Sequence, residues 1–151
     1  MSYLLSPSLS IPKSDVVHFY INVKPFGKQR HGQNGMTGAC YTPKKTKEYE
    51  RLIAYTAFNA MQKAGVKKIE GRAIEVDLFM FYKVPESYSK KRQELLAAGR
   101  PLVKPDTDNV LKIVMDGLTG IAYDDDCIVV DNIVRKVYAS EWGIGVRFHE
   151  V

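Results

Sequence analysis

Ile74-Glu75-Val76-Asp77-Leu78-Phe79-Met80-Phe81-Tyr82 sets Ile74, Val76, Leu78 and Met80 against Glu75, Asp77, Phe79 and Phe81. A period of two is the signature of a strand, and this one is expected in the middle of a sheet, ending near Pro85. Upstream, Tyr49, Leu52, Ile53, Thr56, Ala57, Ala60, Met61 and Ala64 recur at helical spacing as far as Gly65, and Thr42-Pro43 supplies an N-cap and a proline for the first turn. Before that helix, Val16 to Val23 is rich in β-branched and aromatic residues and reads as a strand. Between the two, Pro25-Phe26-Gly27-Lys28-Gln29-Arg30-His31-Gly32-Gln33-Asn34-Gly35 mixes glycines with cations, which suits either a flexible arm along a phosphate backbone or a solvated loop.

Downstream, Ser89 caps a short basic helix, Lys90 to Ala98, that Gly99 terminates. After Pro105, a helix beginning at Asp106 or Asp108 would bury Leu111, Val114 and Leu118 and close at Gly120. Tyr123 to Asp126 then turns the chain. Ile128 to Tyr138 is β in character, and Ile144 to Phe148 is expected to pair back on it as a hairpin after Glu141-Trp142-Gly143. This order predicts an α/β (α+β) fold: a compact single domain over residues 16–151 with one mixed sheet packed by helices, behind a loose tail of residues 1–15. A chain of 151 residues is long enough for one core.

No apolar run approaches the roughly 20 residues of a bilayer span, so no membrane partner is expected. Cys40 and Cys127 are too few for a disulfide framework and lack metal spacing, which fits reduced thiols in a cytoplasmic protein. The net charge is +5, yet two basic and seven acidic residues lie between Lys104 and Asp131, leaving twenty basic and ten acidic residues elsewhere. Crowded carboxylates call for a neutralising cation, and hard oxygen ligands suit Mg²⁺. The basic remainder suits a polyanion. Lys44, Lys45, Lys47 and Arg51, in the first turns of a helix where anions are preferred, point the same way.

Asp106 and Asp108 are one residue apart, so in extended chain their side chains point alike and can share one cation. Lys112 and Asp116 follow at intervals of four, so a helix from Asp108 places all three on one face, either beside the metal or as a ladder of ion pairs. A lysine beside the metal can meet a non-bridging phosphate oxygen as a point charge. A third carboxylate is expected from Asp124-Asp125-Asp126, at the mouth of the strand that starts at Ile128. Val110 and Leu111 exclude a calcium EF-hand loop here. Residue chemistry alone thus reaches a metal-dependent phosphodiesterase.

The chain resembles the RusA family of Holliday-junction resolvases. The resemblance is carried by Lys24-Pro25-Phe26-Gly27-Lys28-Gln29-Arg30, by Tyr41-Thr42-Pro43-Lys44-Lys45-Thr46-Lys47-Glu48-Tyr49-Glu50, and above all by Lys104-Pro105-Asp106-Thr107-Asp108-Asn109 with Lys112, Asp116-Gly117-Leu118 and Asp125-Asp126. It implies a Mg²⁺-dependent homodimer, with Mn²⁺ able to substitute, that makes paired symmetric incisions in four-way DNA junctions. It also implies catalytic Asp106, Asp108 and Asp126 with a catalytic Lys112. Asp125 joins Asp106, Asp108 and Asp126 as an expected metal ligand; Lys28, Arg30, Lys44, Lys45, Lys90, Lys91 and Arg92 are expected contacts to the DNA backbone. Leu102-Val103-Lys104-Pro105 stands where members of the family carry a basic run, which bears on junction selectivity more than on cleavage. Two other readings fit the letters: a non-catalytic protein that binds branched DNA, and a less selective Mg²⁺ nuclease.

Overall fold

A computed structural model of the protein describes residues 16–151, so the expected tail of residues 1–15 lies outside it. The alternating segment forms β4 (Ile74–Lys83), and it is interior to a four-stranded sheet as its pattern requires. Along it, antiparallel, lies β6 (Gly143–Glu150), which in turn pairs with β1 (Val17–Ile21). On its other side runs the parallel edge strand β5 (Val129–Ala139). The order is β1-β6-β4-β5.

This corrects the expected hairpin. The strands β5 and β6 flank β4 instead of pairing with each other, so residues 140–142 carry the chain across the end of β4. Turn residues announce a reversal, but they do not specify which strand the returning chain will pair with. At the crossing, the Trp142 ring stands edge-on to Tyr82, with centroids 5.7 Å apart.

One face of the sheet is apolar and is covered by helices. Ile74, Val76, Leu78, Met80 and Tyr82 of β4 share it with Ile144, Val146 and Phe148, and with Val17, Phe19 and Ile21. Against it pack α1 (Lys44–Ala64), through Ile53, Ala57 and Met61, and α3 (Thr107–Leu118), through Val110, Ile113, Val114 and Leu118. Each such aliphatic group contributes about 1.5–3 kcal/mol by leaving water. Leu111, expected in the stripe, is only partly buried; Val110 and Ile113 occupy the inward positions. The two helices approach closely at Gly117, where an added Cβ would lie 2.8 Å from Ile53 Cβ and 3.0 Å from the Glu50 carbonyl oxygen.

One helix start differs in detail from the sequence expectation. Helix α1 starts one residue later, because Pro43, with ψ 144°, is itself the N-cap and accepts from Lys47 N at 3.1 Å. Thr42 therefore does not cap it. The basic helix α2 (Lys90–Ala97) is capped as expected, with Ser89 Oγ accepting from Arg92 N at 3.3 Å. Residues expected as a loop after β1 include β2 (Gly32–Gln33), which pairs with β3 (Cys40–Tyr41) in a short ribbon.

Candidate active site

The acidic segment is built around the start of α3. Asp106 is the N-cap residue, extended at φ −70° and ψ 147°, and Asp108 lies in the first helical turn. The pair is therefore not carried on a strand; it straddles a helix start, where unpaired backbone N–H groups favour negative charge. Asp106 caps nothing with its side chain; its two oxygens accept from Lys104 Nζ at 2.7 and 2.8 Å. That ammonium holds the Asp106 carboxyl below the ordinary carboxylate range.

The buried stripe of α3 turns Asp108 and Lys112 outward, with Asp116 half-buried on the same side, so the predicted common face exists. The ladder of ion pairs does not. Among the described residues, the Lys112 side chain makes neither an ion pair nor a hydrogen bond, and Asp116 is held instead by Lys28 Nζ. Lys28, expected as a contact to the DNA backbone, is thus paired within the protein, with its side chain only 18% exposed. Lys28 N also donates to Asn109 O at 3.1 Å, and an added Cβ at Gly27 would sit 3.2 Å from Pro105 Cβ. The segment after β1 is thus fastened onto α3 at this point. Nearby, burial raises the Glu50 pKa, with the Asp116 charge adding to the shift and Lys28 opposing it.

Beyond α3, three consecutive aspartates take three different roles. Asp124 pairs with Lys68 at 2.5 Å. Asp125 Oδ1 accepts from Cys127 N at 2.9 Å, which caps the short 3₁₀ turn Asp126–Ile128 and holds the Asp125 carboxyl below its usual range. Asp126 heads that turn, exposed and without an ion pair among the described residues. The hydrogen bond with Asp125 pushes the Cys127 thiol up, which favours its protonated form. Under the turn, Tyr123 is buried and donates to Met115 O at 3.0 Å; burial raises its hydroxyl, with Asp126 as a further cause.

One chain does not gather the whole acidic set. Asp106 lies at the C-terminal end of β4, where Tyr82 Oη donates to Pro105 O at 3.4 Å and burial, with Asp106 next, pushes the Tyr82 hydroxyl up to about 12. Asp126 lies at the other end, just before Val129, which pairs with Ile74. Helix α3 runs between them, and its 12 residues rise about 18 Å at 1.5 Å each. The expected convergence of Asp106, Asp108 and Asp126 is therefore not met within one protomer. A helix start and a strand start can be adjacent in sequence order yet stand a helix length apart.

Among the described residues, three ligand-type side chains do meet elsewhere: donor atoms of Glu75, Asp77 and His149 lie within 4.8 Å of one another. Sequence reading missed this cluster because it depends on the β4–β6 register, Asp77 opposite Arg147 and Glu75 opposite His149. Its charge is already answered. Arg147 donates to Asp77 through Nε at 2.9 Å and through Nη2, Ile133 N donates to the same carboxylate at 3.1 Å, and His149 Nε2 lies 3.4 Å from Glu75.

The remaining predicted cations stay at the surface. Arg30, Lys44, Lys45, Lys90, Lys91 and Arg92 are exposed; Lys44 reaches Glu48 at 3.7 Å, and Arg92 stacks over Tyr88 at 3.8 Å.

Compared with known proteins, the family described as Endodeoxyribonuclease RusA matches residues 22–149, which takes in β4, β5, all of β6 but its last residue, and the three helices, with β1 just upstream of the match. The chain belongs to the RusA endodeoxyribonuclease family. It is also similar to a curated protein of Bacillus subtilis (strain 168), Uncharacterized protein YqaN, at 35% identity over 132 residues that span 85% of this chain and 87% of the relative. RusA membership makes the chain a DNA-hydrolysing nuclease; at the level of the family it implies Holliday-junction resolvase activity, and RusA nucleases act on branched DNA and depend on a divalent metal. The candidate donors Asp106, Asp108, Asp125 and Asp126 fit such a metal: all are carboxylates, and Asp106 and Asp125 are both held in the ionised form. Among the described residues, no helix is long and apolar enough to cross a membrane.

Proposed function

We propose that the protein is a Mg²⁺-dependent resolvase of four-way DNA junctions in recombination and repair, acting in the cytoplasm as a homodimer, with Mn²⁺ able to replace Mg²⁺. The observation that carries the dimeric reading is the helix-long separation between Asp106 with Asp108 and Asp126. Each protomer offers two half-sites. Asp106 and Asp108 of one copy and Asp126 of the other complete one metal site, and a two-fold axis makes two such sites, as paired incision requires. Asp125 fixes the turn that carries Asp126 and keeps its second oxygen for the same centre.

The edge strand β5 supports this arrangement. Its Val130 and Ile133 are exposed, while its far end is covered by Arg100, which donates to Lys136 O at 3.0 Å. Antiparallel pairing of two such edges would lay the start of one β5, with Asp126, toward the end of the other, beside Pro105.

A bound Mg²⁺ supplies a water of lowered pKa and neutralises phosphate charge. The residues do the rest. Asp106 and Asp108 hold the metal at the α3 terminus, and Lys112, one turn on, meets a non-bridging phosphate oxygen. Arg30, Lys44, Lys45, Lys90, Lys91 and Arg92 hold the DNA backbone without reading sequence.

Subunit mixing tests this reading. Asp108→Asn and Asp126→Asn should each be inactive alone on a labelled four-way junction with Mg²⁺. Mixed and exchanged, they should regain nicking, because half of each heterodimer pairs an intact Asp108 with an intact Asp126. A mixture as dead as its components rejects the shared site. Equal cutting of linear duplex favours the less selective nuclease, and binding without Mg²⁺-dependent cutting by the native chain favours the non-catalytic reading.

A further inference from the structure

We propose that Lys28 is a positioning residue: by occupying Asp116 it keeps the Lys112 ammonium unpaired and directed at DNA. The inference rests on the assignment of Lys112 to the phosphate in the nuclease reading above. Asp108, Lys112 and Asp116 recur every four residues on α3, a spacing at which lysine and aspartate ordinarily pair. A lysine tied to Asp116 would point along the helix toward its C-terminal end, away from the start of α3 and its carboxylates. Yet Lys112 makes no ion pair among the described residues, and Asp116 is held from another part of the chain.

Lys28 prevails over Lys112 for a geometric reason. Its backbone N–H is fastened to Asn109 O at 3.1 Å, and its side chain reaches along α3 to Asp116. The Lys28 and Asp116 side chains are only 18% and 30% exposed, so the pair is less screened than one made by the exposed Lys112 would be. The anchoring continues upstream, where Tyr49 Oη donates to Lys24 O at 3.1 Å and Phe26 packs on the Tyr49 ring at 5.3 Å. Glu50 deepens the negative potential around Asp116, with Lys47 and His31 on the opposing side. Removing Lys28 leaves Asp116 beside another carboxylate, and Lys112 is the cation one helical turn away.

The test is a rescue. Lys28→Met should lower kcat on a four-way junction about tenfold with KM little changed, the pattern of an interaction made only in the transition state. Lys28→Arg should retain most of the activity. In the Asp116→Asn background there is no carboxylate left to capture Lys112, so adding Lys28→Met should change kcat less than about twofold. A tenfold loss in that background too would overturn the proposal, since Lys28 would then act without Asp116. The second readout does not need catalysis: a crystal structure of Lys28→Met should show Lys112 Nζ within about 4 Å of an Asp116 oxygen. Lys112 left in place there would also overturn it. A native protein that cuts no junction would defeat the nuclease reading, whereas the crystallographic result would still decide the placement of Lys112.

Discussion

Two acidic regions of this molecule have opposite fates. On the open face of the sheet, Asp77 is fully buried and every demand of its carboxylate is met by Arg147 and a backbone amide of β5. At the start of α3 and before β5, Asp108 and Asp126 are exposed and have no ion pair among the described residues, and Asp106 has only the exposed Lys104. Carboxylates answered inside the fold hold strands together, whereas carboxylates left at the surface at a helix or turn start are available to a metal. Closeness of ligand atoms alone would choose Glu75, Asp77 and His149, whose charge is already answered within the fold.

The contrast breaks most sharply on Asp108→Asn. Cleavage of a four-way junction should fall about 10²- to 10³-fold, the scale of an essential electrostatic group, while melting temperature stays near native. A large loss of stability would place Asp108 with Asp77. The converse variant is Asp77→Ala, which orphans the Ile133 amide and deprives Arg147 of its partner. Since Arg147 is partly exposed, we expect a loss of about 2–4 kcal/mol in urea unfolding, somewhat below that of a wholly buried pair. Residual Mg²⁺-dependent cutting by the folded fraction should persist; its disappearance would move the metal site to Glu75, Asp77 and His149.

Smaller effects sharpen the picture. Replacing Lys90, Lys91 and Arg92 with Gln should weaken junction binding several-fold and reduce the slope of log affinity against log salt by about 0.9 for each phosphate no longer neutralised. An unchanged slope would show that α2 does not touch the backbone. Smallest is Lys104→Ala. Because the Lys104 hydrogen bond depresses Asp106, it stabilises the fold above the ordinary carboxylate pKa, and that contribution is lost as pH falls through the depressed value. Removing Lys104 should move the Asp106 titration, followed by side-chain NMR, up toward 3.8, with no change at Asp125, whose depression comes from Cys127 N.

Much of this was legible in local letters. The period of β4, the stripe of α1 apart from the exposed Leu52 and Ala64, the Ser89 cap and the helix after Pro105 each follow from forces within a few residues, so their sequence readings match the elements. The acid-lysine-acid spacing of Asp108, Lys112 and Asp116 likewise placed all three on one face. The pairing of Asp116 was not legible, since its partner Lys28 lies 88 residues away. Glycine and cation content in the segment after β1 describes an arm as well as a strap; only the contacts of Lys24, Phe26 and Lys28 distinguish the two.

The amino-acid order by itself determined the longer strands and helices, where carboxylates crowd, and that the body around them is cationic, because periodicity, caps and charge are properties of neighbours in the chain. Tertiary structure alone decided that β4 separates β5 from β6, that Arg147 answers Asp77, and that α3 holds Asp106 and Asp126 apart. These depend on strand register and helix direction, which are set by how apolar faces pack across long stretches of chain, and local sequence does not encode that distance.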